Sequence, residues 1–318
     1  MFRGILFKVS TLLTFIFFPF ARAPYKFFTR YFFINFFIQL KYFWKDYVIK
    51  KPYKIIQYDS EFGPELKYVV PFAYWHYKNG TLLKTISSKD TKAFYFFSPD
   101  HEERFDKRVW VDFKYDIEIP NSQDHSLLYL MSKWKQVPYR EFYRNDNFNY
   151  SKPILIIANR YNIEWEDKPI SFFDYEILVE LINILSEKFT IIYNRPESAK
   201  IINDNSEVLE LGEKERLRQR FADRIILMDD LFQANACDYD NYNHFQLYAY
   251  ASSKYFISVH GGTSVLASYF GGVNIIYSVK GHEHYCNEFA KFYPKLSGSK
   301  IYHARDYTEL LAIVSSVL

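Results

Sequence analysis

Three scarcities constrain this 318-residue chain before any motif is considered. It has two cysteines, Cys237 and Cys286, too few for a disulfide framework, so a reduced compartment is the simpler reading. It has ten glycines, and no Gly-x-x-x-x-Gly-Lys or Gly-x-Gly-x-x-Gly occurs anywhere, so phosphate-loop ATPase and dinucleotide-binding readings lose support. It also lacks an apolar run that could cross a bilayer. The longest uncharged stretch, Val9–Ala21, is shorter than the roughly 20 residues a spanning helix needs, and Arg22, Lys26 and Arg30 interrupt the next apolar stretch.

Acid is scarce in one place in particular. Residues 1–54 hold ten Lys and Arg but a single acid, Asp46, for a net +9, and since the whole chain carries +3 the other 264 residues carry −6. The same segment holds 13 of the 32 phenylalanines. A stretch both basic and aromatic suits an anionic membrane surface, where cations meet headgroups and rings sit at the interface. Residues 1–51 are therefore predicted to form a helical membrane-associating segment, peripheral or monotopic, on the cytoplasmic face, with a tilted span starting near Ile5 as the alternative. Ala21-Arg22-Ala23 has the look of a signal-peptide cleavage site, but Pro24 comes directly after it and the cysteine usage does not suggest export. The acidic remainder opposes nonspecific nucleic-acid binding, and the Lys214–Arg220 run alternates with acids as a solvated helix face does.

Beyond the basic segment, periodicity predicts an α/β chain of two Rossmann-like lobes. Lys54–Tyr58 reads as a buried strand leading into a helix that opens near Pro64. Leu82–Ile86 and Ala93–Phe97 are further apolar runs, and residues 99–150 are polar and irregular. From 153 onward strands and helices alternate. Ile154–Ala158, Phe189–Tyr193, Arg224–Met228, Tyr255–Val259, Val273–Ser278 and Lys300–Tyr302 are the strands, and Ser171–Asp174 and Asp306–Glu309 are capping boxes that open helices. This alternation, with strands apolar throughout, indicates a parallel sheet covered on both faces. The segment 52–150 is predicted to be a smaller acceptor-side lobe and 151–318 a complete donor-side lobe, with ligands at the carboxyl ends of its strands.

Four of the ten glycines bracket one short predicted helix. Gly271-Gly272 fit its C-terminus. Gly261-Gly262, between His260 and Thr263-Ser264, sit where a strand ends and a helix begins, so a ligand can approach bare backbone and exposed N–H groups, and the two hydroxyls can cap or donate. This favours a diphosphate; a tight turn without ligand is the plain alternative. Asn159-Arg160, Asn194-Arg195 and Asp229-Asp230 come directly after the three preceding strands, and arginine at such an edge pairs with phosphate oxygens.

The segments YDSEFGPEL (58–66), YFFSPDHEE (95–103), IIANRYNIEW (156–165) and FQLYAYASSKYFISVHGGTSVLASYFGGVNIIY (245–277) resemble GT-B-type glycosyltransferases, and more specifically bacterial surface-polysaccharide transferase-like proteins. The resemblance implies a nucleotide-sugar donor in the C-terminal lobe, where position makes Asn159, Arg160, Arg195, Asp229, His260, Gly261, Gly262, Thr263 and Ser264 the candidate contacts and puts Glu283 near the ribose. It implies a glycan or lipid-linked acceptor at the N-terminal lobe, without cofactor or metal. An inverting transfer needs a base, and Glu61, His101 and Asp59 are the candidates from predicted strand ends. Asp238-Tyr239-Asp240 and His282-x-His284-x-Cys286 are weak metal patterns, the first in a polar loop and the second without the usual ligand spacing. A nucleotide-sugar epimerase on the same frame and a noncatalytic membrane-bound binding protein are the competing readings.

Overall fold

A computed structural model describes residues 2–109, 118–121, 125–164, 167–197 and 206–318. Its centre is a six-stranded, wholly parallel sheet. Numbering strands along the chain, β1 is Lys54–Gln57, β2 Leu82–Ser88, β3 His101–Phe105, β4 Ile154–Ala158, β5 Asn162–Ile163, β6 Thr190–Asn194, β7 Glu207–Val208, β8 Ile225–Leu227, β9 Tyr255–Val259, β10 Val273–Tyr277 and β11 Lys300–Ala304. The large sheet runs β11-β10-β9-β4-β6-β8. Its inner strands are apolar on both faces because helices cover both sides; every residue of β4 is buried.

Helix starts obey the local chemistry. Asp174 caps Tyr175–Leu185 by accepting from the Ile177 N–H (2.9 Å), and Asp306 caps Tyr307–Val317 by accepting from Glu309 N–H (2.8 Å). The first predicted box begins three residues too early. Ser171 lies outside the helix with φ of 54°, and its hydroxyl accepts from the Val279 N–H instead.

The smaller sheet is parallel and three-stranded, β1-β2-β3. Its third strand is not the apolar Ala93–Phe97 run, which supplies a 3-10 turn at Lys92–Tyr95, but the charged His101–Phe105. An edge strand half open to water tolerates such a sequence, so apolar content misplaced it. The predicted helix from Pro64 is continuous but breaks period. Phe62–Pro64 leads into a π-turn, Glu65–Val69, and then Val70–Lys78. Pro71 cannot donate to the i−4 carbonyl, and the wider turn just before it absorbs the defect.

The two sheets share one apolar core. Leu66, Phe72 and Tyr139 pack in the same buried cluster as Phe245, Tyr269 and Phe270. Polar bonds cross the same boundary: Tyr269 Oη donates to the Leu66 carbonyl (2.5 Å), and Lys67 pairs with Glu288 (2.8 Å), both side chains buried. The open cleft expected between two facing lobes is thus confined to one edge of a largely fused interface.

Gly272 is the exposed residue that leads into β10. Its φ is +74°, and a Cβ there would lie 2.0 Å from the Lys254 carbonyl oxygen, which accepts the Val273 N–H. Gly272→Ala combines a left-handed backbone with a backbone clash and is expected to cost about 3–5 kcal/mol, read as a lowered urea midpoint at unchanged slope.

The basic segment is a helical hairpin, Phe2–Phe17 and Ala23–Lys41, with a π-turn after it at Trp44–Ile49. Among the described residues no helix is long and apolar enough to cross a membrane.

Candidate functional site

In the large sheet the chain leaves β4 for β6 and β8, then returns to the other side of β4 for β9, β10 and β11. The order therefore reverses between β4 and β9. Neighbouring loops diverge there, and a crevice opens beyond the strands' carboxyl ends. A cleft occupies this position, lined by Asn159 and Arg160 after β4, Arg195 after β6, and Gly262 and Thr263 after β9. The smaller sheet contributes the opposite wall through Phe62, Gly63, Lys89 and Arg108.

The glycine turn is built by close approach. Gly261 has φ of +97°, and a Cβ on it would meet the Arg160 guanidinium at 2.9 Å. At Gly262 a Cβ would meet the Phe62 ring at 2.9 Å and the Gly63 nitrogen at 3.6 Å. Backbone of one lobe thus lies against backbone of the other, and the Phe62 ring leaves no room for a Cβ at Gly262 unless it shifts. The turn is half-buried rather than covered. At the start of Gly262–Ser268 the Gly262 and Thr263 N–H groups have no intrahelical acceptor, whereas the Ser264 N–H already donates to the Gly261 carbonyl (3.1 Å). Ser264 is used internally: it is fully buried, and its hydroxyl donates to the Gly261 carbonyl (2.9 Å). Of the two hydroxyl residues, Thr263 is the one that lines the cleft.

Four cations line the cleft against one carboxylate, Glu164, but the cations differ sharply in availability. Arg195 is buried and holds both oxygens of the buried Glu213, at 2.6 and 3.1 Å. Burial opposes its charge, and the hydrogen bond and charge of Glu213 outweigh that and raise its pKa. Arg108 is likewise buried, donating to the Ser60 carbonyl (2.7 Å) and pairing with Glu65 (2.6 Å). Arg160 is partly exposed and pairs with Glu164 alone. Lys89 is exposed and, beyond the charge influence of the adjacent Asp90, forms no ion pair among the described residues. The attraction for an anion therefore resides in Arg160 and Lys89. Lys89 was missed in the sequence, although the signal that marked Arg160 was present: a cation directly after a parallel strand, hidden because β2 runs to Ser88 rather than Ile86.

Other expected residues are engaged elsewhere. Asn159 lines the cleft but is buried and spent on the loop; its side chain donates to the Phe173 carbonyl and Tyr193 hydroxyl and accepts the Phe173 and Arg160 N–H groups, so it sets the loop's shape. Asp229 is drawn into the first turn of Met228–Ala234 and paired with Lys214, two strands from the switch point and off the cleft. His260 and Glu283 bond to each other (2.8 Å) and line no part of the cleft; they brace the Gly261 turn against the His282–Cys286 helix.

Among the candidate bases, His101 is corrected most clearly. It opens β3 opposite Thr85 in mid-strand, not beyond a carboxyl end. Its Nδ1 bonds Thr85 Oγ1 (2.8 Å), its Nε2 Thr91 Oγ1 (3.1 Å), and its ring stacks on Tyr95. Burial lowers its pKa. Glu61 directly precedes cleft-lining Phe62 and is half-buried, and Asp59 is half-buried two residues before it.

Two groups among the described residues bring metal-ligating atoms within 4.8 Å of one another: Asp46, His76 and Glu118, and His125, Glu283 and Glu288. Ammonium groups already sit in both. Lys133 bridges Asp46 and Glu118, Lys54 pairs with Glu118 (2.6 Å), and burial together with these two cations pushes His76 down to about 2, leaving it neutral. Lys67 holds Glu288 in the second group. The His282, His284 and Cys286 side chains turn to three separate partners, Tyr25, Ser278 and the His125 carbonyl.

No family model matches the chain, and no curated protein does. Two solved structures are similar to it. One is E. coli ADP-heptose LPS heptosyltransferase II, at a TM-score of 0.47 and 9% identity over 82% of this chain and 98% of that one. The other is E. coli heptosyltransferase WaaC with ADP, at 0.36 and 13% over 84% and 72%.

Proposed function

We propose that this chain is a GT-B-like glycosyltransferase that moves a sugar from a nucleotide-sugar donor to a glycan or lipid-linked acceptor in cell-surface glycan synthesis. The observation that carries this reading is the cleft at the β4/β9 switch point, where Arg160 lies over a side-chain-free turn and Lys89 faces it from the other lobe. Bare N–H groups and two available cations suit a diphosphate. As the bond between anomeric carbon and diphosphate oxygen breaks, the nucleoside diphosphate departs with the electron pair, and these groups stabilise its growing charge. The acceptor hydroxyl oxygen forms the new bond to that carbon, and its proton passes to Glu61. Glu164 pairs with Arg160 and gives way to phosphate oxygens when donor binds. Arg195 serves by shaping the wall, not by contacting phosphate.

A thermal-shift series with ADP, UDP, GDP and CDP tests the reading. At least one is expected to raise the unfolding midpoint, by the equivalent of about 2.7 kcal/mol at a hundred times its dissociation constant. Arg160→Ala is expected to weaken that nucleotide about tenfold to hundredfold, the range of a charge-assisted bond, without lowering the midpoint of the free protein. Indifference of the chain to all four, or equal affinity in the variant, would sink the proposal.

A further inference from the structure

The N-terminal hairpin is inside out. On Phe2–Phe17 the buried side chains among the described residues are Ser10 and Thr14, and on Ala23–Lys41 Thr29, Asn35 and Gln39 are buried beside Tyr25 and Ile34. The large apolar side chains point the other way: Leu12 and Ile16 are 61% exposed, Phe17 63%, Trp44 64%, and Phe20 at the turn 98%. In water a docked helix turns its apolar stripe to the body and its polar face to solvent. Helices that pack in an apolar solvent do the reverse, placing small and polar residues at the contact and apolar ones outside.

Charge points the same way. The one acid of residues 1–54, Asp46, is buried against Lys133 and Tyr53, so the outer face carries cations only, among them exposed Lys8, Arg22, Lys41 and Lys45. Lys26 and Arg30 lie over the rings of Phe15 and Phe7, long stems along apolar surface as at a lipid interface. The apolar side chains coat both helices, the turn and the adjoining π-turn instead of lining a bounded groove. That suits a continuous solvent better than a folded protein partner.

We propose that the hairpin is a monotopic anchor, its outer face seated at the headgroup–acyl boundary of an anionic leaflet, the cytoplasmic one for an enzyme using a nucleotide donor. The inner face is bolted to the body. Gln39 Nε2 donates to the Glu118 carbonyl (3.1 Å), Thr29 Oγ1 accepts the Leu127 N–H (3.1 Å), and Tyr25 stacks on Tyr285 at 3.7 Å. The His282–Cys286 helix that carries Tyr285 also carries Glu283, which braces His260 beside the glycine turn, so the cleft travels with the anchor as one body. This deepens the transferase reading by placing the acceptor in the leaflet, and it rests on that reading for the acceptor and for the choice of leaflet.

The test is flotation of the full chain with phosphatidylcholine vesicles, with and without phosphatidylglycerol, at low and high salt, alongside the nucleotide thermal shift on the same samples. The protein is expected to float with anionic vesicles, to do so less with neutral ones or in high salt, and to shift Trp44 emission to the blue on binding. A variant carrying Leu12→Gln, Ile16→Gln, Phe17→Gln and Phe20→Gln is expected to lose vesicle binding roughly tenfold or more while keeping its nucleotide response. Three outcomes overturn the anchor: wild-type protein that stays unbound with anionic vesicles at low salt; a variant that floats equally well; or a stable dimer, abolished by the variant and undisturbed by vesicles, which would assign the face to a second copy. An intact nucleotide response in any of these leaves the transferase reading standing, and its loss with flotation retained does the opposite.

Discussion

Glu61→Gln is expected to lower turnover by about 10²–10⁴-fold, the span of a general base, while leaving the nucleotide-induced stabilisation unchanged. The backbone explains why the residue can serve. The Glu61 carbonyl accepts the Tyr58 hydroxyl (3.2 Å) and the Glu65 N–H (3.2 Å), so the main chain is fixed at the mouth of the cleft between β1 and the helix. The next two residues, Phe62 and Gly63, form the wall against Gly262. The carboxylate thus belongs to the residue directly before that wall. His101→Gln is the contrasting variant. Its ring bonds Thr85 and Thr91 on the far side of β2, so its loss is expected to touch stability and spare the chemical step. Initial rates with saturating donor separate the two. Full turnover in Glu61→Gln with loss in Asp59→Asn would move the base two residues; full turnover in both would remove the base from this loop.

The second large effect concerns stability. Arg195→Ala is expected to destabilise the fold by about 3–5 kcal/mol, because it strands Glu213 as an unpaired charge in the interior. Glu213 also accepts the buried Tyr193 hydroxyl (2.9 Å), which ties the loss to β6 itself. Chemical denaturation should show a lower midpoint at unchanged slope. Arg160→Ala should leave that midpoint in place and weaken nucleotide instead, since Arg160 and Glu164 are both partly exposed and a pair of that kind contributes little to folding. If Arg195→Ala folded normally and only bound nucleotide less well, the division of labour between the two arginines would be reversed.

Those two arginines show where reading the sequence stops. Both come directly after a buried parallel strand and an asparagine, and nothing local distinguishes them. What separates them is Glu213, 18 residues beyond Arg195, delivered by the start of the Glu213–Phe221 helix. His101 illustrates the same limit from the other lobe: a charged strand at a sheet edge has no apolar signature, so the strand was placed one segment early and the histidine at its wrong end. The glycine turn was legible because its signal is local, a conformation and a lack of side chains within four residues. Its counterpart, Phe62-Gly63, was not, because the contact exists only once the lobes close.

The sequence by itself determined the order of strands and helices in the larger lobe, the side-chain-free turn, and the basic, aromatic character of the first 54 residues, since each depends on neighbours a few positions apart. The tertiary structure alone decided which cations remain available to a ligand, that His101 is held in mid-strand and off the cleft, and that the hairpin packs its small polar side chains inward. These depend on partners tens to hundreds of residues away, and burial sets whether a charge is spent on the fold or left for a ligand.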